Sequence, residues 1–175
     1  MQDYRRKIAY LYAYEGGEKL GNAGFVKAED RGGICRLAVH LRCYSRSGED
    51  PGKVYLYFRH RQQLVGIYLG ALKNRNGALE WQGTFSSNDI QGKGIRFGQT
   101  AGIWIQRPGG KEYVAEWDDY PVDISRFVIY PKGGEKCIRC PWFGKCERSS
   151  VDEADRRGTV YEGSDPAGQK SREAE

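Results

Sequence analysis

No apolar run in this 175-residue chain approaches the roughly 20 residues needed to cross a bilayer. The opening "MQDYRRKIAYLYAYEGG" has a basic patch, but no unbroken apolar segment and no small-residue cleavage site follow it. The expectation is a cytoplasmic protein with no membrane partner. Helical periodicity is absent over any useful length, and no strand–helix–strand alternation appears, which argues against a parallel α/β sheet. Histidine is scarce. The two present, His40 and His60, lie in or beside strand patterns where nothing in the sequence orients a base, so no Ser–His–Asp arrangement is legible. The glycines of "GKGIRFGQTAG" lack a following Gly-Lys-Ser/Thr and a helix, so they form no phosphate cradle.

What is present is alternation with period two, punctuated by glycine turns, from Arg6 to about Val128. "KIAYLYAYE" ends in Gly16-Gly17; "AGFVKAE" ends in "DRGG". "ICRLAVHLRCYS" puts Cys35, Leu37, Val39, Leu41 and Cys43 on one face and Arg36, His40 and Arg42 on the other. "KVYLYFRHR", "LVGIYLGAL", "ALEWQGTF" after an Asn76-Gly77 turn, "GIRFG", "GIWIQ" and "EYVAEW" complete eight or nine short strands. The 24 glycines suit turns that need positive φ. This predicts an all-β fold, an antiparallel sandwich or a closed barrel. "PVDISRFVIYP" reads either as a helical turn capped by Asp123 or as a last edge strand.

Composition shifts near the end. From Glu147 onward there are five Arg/Lys and eight Asp/Glu, a net of −3, so residues 1–146 carry +8 of a chain total of +5. The same end has only Val151, Val160 and Tyr161 as large apolar side chains, too few to offset the entropy of ordering it. The expected organisation is a β-domain over 1–130, a Cys-rich segment over 131–148 and a disordered acidic tail over 149–175. A basic body suits a polyanion, although Lys and Arg are interleaved with acids and form no basic run. Another protein is the other partner class open to it.

The phrases "GNAGFVKAE", "VGIYLG" and "EWDD", within a span of about residues 4–130, resemble an uncharacterised domain-of-unknown-function family of anaerobic Gram-positive bacteria. The resemblance implies a β-rich intracellular domain and no activity. The segment "CIRCPWFGKC" resembles the cluster-binding segments of some iron–sulfur nucleases and radical enzymes, with one departure: the position four beyond Cys146 is Ser150, so a fourth cysteine is missing.

On spacing alone, Cys137, Cys140 and Cys146 are candidate metal ligands. C-x2-C lets two thiolates converge on one ion, and Gly144 turns the third back. Zinc or an iron–sulfur cluster would suit them, with a fourth ligand from His40, His60, a core cysteine, a carboxylate or a second chain; a redox dithiol is the other functional reading. If a metal is held, Cys140→Ser should reduce bound zinc or iron from about one per chain to near zero. Equal metal content in both proteins, read by elemental analysis, removes the assignment.

Cys35 and Cys43, about 26 Å apart along one strand, are too distant to bond each other and are expected as core residues. The carboxylates of "EWDDYPVD" lack EF-hand spacing and read as a turn-rich loop. Tyr10, Tyr12 and Tyr14 share one strand face. With Arg36, Arg42 and Arg59 beside them they would form a stacking platform with a basic border, a surface used for single-stranded nucleic acid and for sugars; Tyr55 and Tyr57 would extend it. The function expected is a non-enzymatic interaction or ligand-binding module. The alternatives are an iron–sulfur or zinc-dependent enzyme component, and an aromatic-surface binder of nucleic acid or carbohydrate.

Overall fold

A computed structural model describes residues 4–131 of the chain, and they form an all-β unit. Ten strands make one sheet: β1 (Tyr4–Glu15), β2 (Glu18–Arg31), β3 (Ile34–Leu41), β4 (Lys53–His60), β5 (Gln63–Ala71), β6 (Lys73–Arg75), β7 (Ala78–Ser86), β8 (Thr100–Gln106), β9 (Glu112–Glu116) and β10 (Phe127–Ile129). Their spatial order is β10-β5-β4-β8-β9-β1-β2-β3-β7-β6. Every pairing is antiparallel except β10 with β5.

The turns follow from residue chemistry. Gly16-Gly17 and Gly32-Gly33 join β1–β2 and β2–β3, all four with positive φ. Asn76 (φ 49°) and Gly77 (φ 82°) join β6 to β7, the Asn-Gly pattern that matches the right-handed strand twist.

Connectivity forces the sheet to roll. Only Leu72 separates β5 from β6, yet they stand second and tenth in the strand order. The chain therefore ties the two ends of the sheet together, and the result is a curled half-barrel with a mixed sheet, in place of two stacked sheets or a fully paired ring. Trp81 of β7 bridges the seam: its indole lies against Gly70 of β5 and over Gly83 of its own strand, where any Cβ would collide with it.

The inner face holds the main core. Leu11, Val26, Leu37, Val39, Leu41, Val54, Leu56, Val65, Ile67, Leu79 and Ile103 are buried there, as the period-two pattern predicts. Two expectations change. "GIRFG" is no strand, because positive φ at Gln91, Gly92 and Gly94 turns the chain; the loop instead buries Ile90 and Phe97. Cys35 is buried, but β3 ends at Leu41 and leaves Cys43 half-buried beside Arg107 and Tyr113, with Arg107 Nη1 2.7 Å from its sulfur.

A second core sits outside the barrel. Tyr14, Tyr55, Tyr57, Leu64, Ala101, Trp104 and Val114 pack on the outer face of β4, β5, β8, β9 and the end of β1, and Val122, Ile124 and Phe127 cover them. Trp104 stacks on Phe127 at 4.4 Å and on Tyr55 at 4.7 Å. The covering segment combines both readings of "PVDISRFVIYP". Asp123 accepts from the Ser125 amide to cap a helical turn over Ile124–Arg126, and β10 follows.

Tyr57 is fully buried in this layer, and its hydroxyl has no partner among the described residues. Tyr57→Phe is therefore expected to stabilise the fold by about 1 kcal/mol, since it removes a desolvated, unpaired group. A loss of stability of similar size in a urea titration would mean that the hydroxyl is bonded after all.

Burial pushes the phenols of Tyr14, Tyr55, Tyr57 and Tyr113 above their ordinary value and the Cys35 thiol up to about 12. These acids keep their protons in the folded chain after they would lose them in the unfolded one. Their contribution is whole below the ordinary thiol value of 9.0 and is lost as pH rises toward about 12. Urea midpoints should therefore fall between about pH 8 and about pH 11, and less steeply in Cys35→Ala; equal slopes would remove Cys35 from this account.

Candidate functional site

The covering segment reaches only half of the outer face. The outward side chains of β1, β2, β3 and β7 remain open, and cross-strand register lays them out in rows. Tyr10 faces Phe25, Phe25 faces His40, His40 faces Glu80, and Glu80 faces Lys73. Tyr10 is 61% exposed and Phe25 43%. The Phe25 and His40 rings stack at 5.2 Å and 24°. Glu80 Oε1 lies 3.0 Å from His40 Nδ1 and fixes the imidazole in that stack. The neighbouring row is Ile8, Lys27, Ala38 and Gln82, with Ile8 56% exposed. Such a continuous apolar and aromatic ledge on an open sheet face is unusual for a surface with no ligand.

The small Ala38 side chain leaves a dish of about 320 Å³ beside the ledge, lined by Lys27, Glu29, Arg36, Gln82 and Thr84. Cations exceed carboxylates across this face: Arg6, Lys27, Arg31, Arg36, Arg42 and Lys73 stand against Glu29 and Glu80. Glu29 is held by Lys27 at 2.8 Å and approached by Arg6 at 3.9 Å; the Lys27 hydrogen bond is the main cause of its carboxyl lying below its ordinary value. Arg31, Arg36, Lys73 and Arg75 make no ion pair among the described residues.

The structure divides the residues that the sequence grouped. Tyr10, Arg36 and Arg42 lie together on the open face, where Arg42 donates to Asn22. Tyr12 is at the border, its ring 4.1 Å from Lys19 Nζ, and that lysine pairs with Glu116. Tyr14 is 94% buried in the outer core, because the end of β1 pairs with β9 and lies in the part of the outer face that Val122, Ile124 and Phe127 cover. Tyr55 and Tyr57 are buried in the same layer. Arg59 is a clamp. Its guanidinium donates to both oxygens of Asp118 at 2.7 and 3.0 Å and to the carbonyls of Tyr120 and Pro121, which ties the segment after β9 to the end of β4. Cys137, Cys140 and Cys146 lie outside the described residues; among the described residues no three His, Cys, Asp or Glu converge to hold a metal.

Phe25, His40 and Glu80 complete the ledge; the sequence marked His40 only as a candidate fourth ligand for the cysteines and did not mark Phe25 or Glu80. His40 was visible on the face of its strand opposite the apolar one. The union of the three was not, since it depends on the β2–β3 and β3–β7 registers.

The chain matches no known protein family, no characterised protein and no solved structure. No helix among the described residues is long and apolar enough to cross a membrane.

Proposed function

We propose that this protein is a non-enzymatic binding module whose open half-face receives single-stranded nucleic acid. One observation carries the reading: the row Tyr10–Phe25–His40 presents aromatic rings side by side on the open face, bordered by Arg31, Arg36, Lys73 and Arg75, which make no ion pair among the described residues. Bases stack on such rings irrespective of sequence, and sheet-surface binders of this kind seat about two or three of them. The cations meet the phosphates. A neutral sugar would use the rings and leave the surplus charge unanswered, so the charge favours the polyanion over the carbohydrate.

Unstacked bases are needed to reach the ledge, so duplex should bind weakly. In a fluorescence-anisotropy titration at low salt, a labelled dodecauridylate should bind the full chain well ahead of a duplex of the same length and of a neutral glucan. Duplex and single strand binding alike would reduce the surface to a general electrostatic patch. The likeness to an uncharacterised bacterial domain family, the cytoplasmic setting and a metal-holding Cys137/Cys140/Cys146 arm belong to this proposal as well. The sequence phrases and the C-x2-C-x5-C spacing support them.

A further inference from the structure

At the end of the aromatic row a cleft of about 550 Å³ opens along the seam of the half-barrel, lined by Ala71, Lys73, Asn74, Arg75, Glu80, Trp81 and Gln82. We infer that this cleft seats one nucleotide unit, with the base against the Trp81 indole and the phosphate on Lys73 and Arg75. The inference rests on the nucleic-acid reading of the open face and extends it to a second, deeper site.

Four observations converge on it. The volume falls in the range of pockets that hold small organic ligands. The indole is packed between two glycines: one edge lies against Gly70 and the other over Gly83, and neither position could carry a side chain without collision. An aromatic ring held this way is a ready stacking partner for a planar base. Lys73 and Arg75 stand two residues apart on β6, so they project from the same side of that strand; neither has an ionic partner among the described residues. Asn74, between them, is engaged by the Ser45 backbone through both its amide oxygen and its nitrogen, which fixes the short strand that carries the two cations.

The cleft is also continuous with the ledge. Glu80 lines it and at the same time bonds His40, whose ring stacks on Phe25; Gln82 lines both the cleft and the Ala38 dish. A strand lying along Tyr10, Phe25 and His40 therefore arrives at Glu80 and Lys73, the near side of the cleft. Glu80 is held by His40 at the rim, and Gln82 offers both a donor and an acceptor to a base edge.

The nucleotide has two possible sources, the end of a bound strand or a free nucleoside monophosphate. Trp81 fluorescence separates them. Adenosine 5′-monophosphate and a dodecauridylate are titrated separately into the full chain, into Trp81→Phe, and into the double variant Lys73→Gln/Arg75→Gln. The double variant changes only exposed side chains, so its melting temperature should equal that of the wild type. Expected is saturable quenching by the dodecamer that disappears in Trp81→Phe and weakens about tenfold in the double variant. Quenching by the monophosphate as well identifies a site that also takes free nucleotide; quenching by the dodecamer alone identifies the strand end as the occupant. A dodecamer that binds with unchanged affinity in the double variant and never quenches Trp81 overturns the cleft and leaves the open face intact. Monophosphate quenching without dodecamer binding upholds the cleft and removes the open-face reading. No response to either probe overturns both.

Discussion

Alanine at both Tyr10 and Phe25 is expected to weaken binding of a single-stranded oligonucleotide by about 100-fold or more, while the chain stays folded. The magnitude follows from stacking, which contributes about 1–3 kcal/mol for each base that loses its ring. The retained fold follows from exposure. Tyr10 is 61% and Phe25 43% exposed and neither belongs to the outer core, so their removal leaves no internal cavity, and the loss of the Phe25–His40 stack should lower the melting temperature by only a few degrees. Salt supplies an internal control. Each phosphate neutralised on a single strand adds about −0.7 to the slope of log affinity against log salt. Arg36→Ala should therefore make that slope shallower by about 0.7 and weaken all sequences alike, whereas the aromatic pair should lower affinity at every salt concentration with little change of slope. Equal affinity of the double alanine variant and the wild type would exclude the ledge as the contact surface.

The largest effect on stability is expected at Gly102. It sits mid-strand in β8, paired with Tyr57 of β4 on one side and Glu116 of β9 on the other. A Cβ there would meet the backbone carbonyl of Ala115 and the ring of Tyr57. Neither can yield: the carbonyl belongs to a paired strand, and Tyr57 is fully buried beneath Phe127. Gly102→Ala is accordingly expected to cost about 3 kcal/mol or more, a fall of about 10 °C in melting temperature. Gly21→Ala is the matched control. It lies in an exposed part of β2, has no positive φ, and its added methyl would meet nothing within 4 Å. If the two variants melt together, the close approach of β8 to β9 and Tyr57 is wrong.

The strands were legible because the half-barrel buries one face along most of its length. In β3 the residues Cys35, Leu37, Val39 and Leu41 alternate with exposed or half-exposed neighbours, and that alternation is readable without a structure. β4 resists the same reading. Val54 to Phe58 are buried without interruption, because the barrel core takes one face and the 117–131 segment the other. Tyr55 and Tyr57 therefore looked like a surface and proved to be a second core. β6 and β10, three residues each, carry no period that a sequence can display; their pairing is imposed by the Asn76-Gly77 turn and by docking onto β5. The site was half legible for a related reason. Tyr10, Arg36 and Arg42 were marked by strand alternation. Whether a neighbouring tyrosine joins them depends on how far the 117–131 segment reaches over the outer face, and it covers Tyr14 but not Tyr10. Arg59 looked like one more border cation and is instead satisfied four times over by Asp118, Tyr120 and Pro121.

The most direct measurement is amide chemical-shift mapping of the isotopically labelled full chain during titration with dodecauridylate at low salt. The shifts are expected to cluster on the open half-face, at Ile8, Tyr10, Phe25, Ala38 and His40, and to fade together as salt is raised. Shifts centred on Val122 to Phe127, or none at any ratio of oligonucleotide to protein, would contradict it.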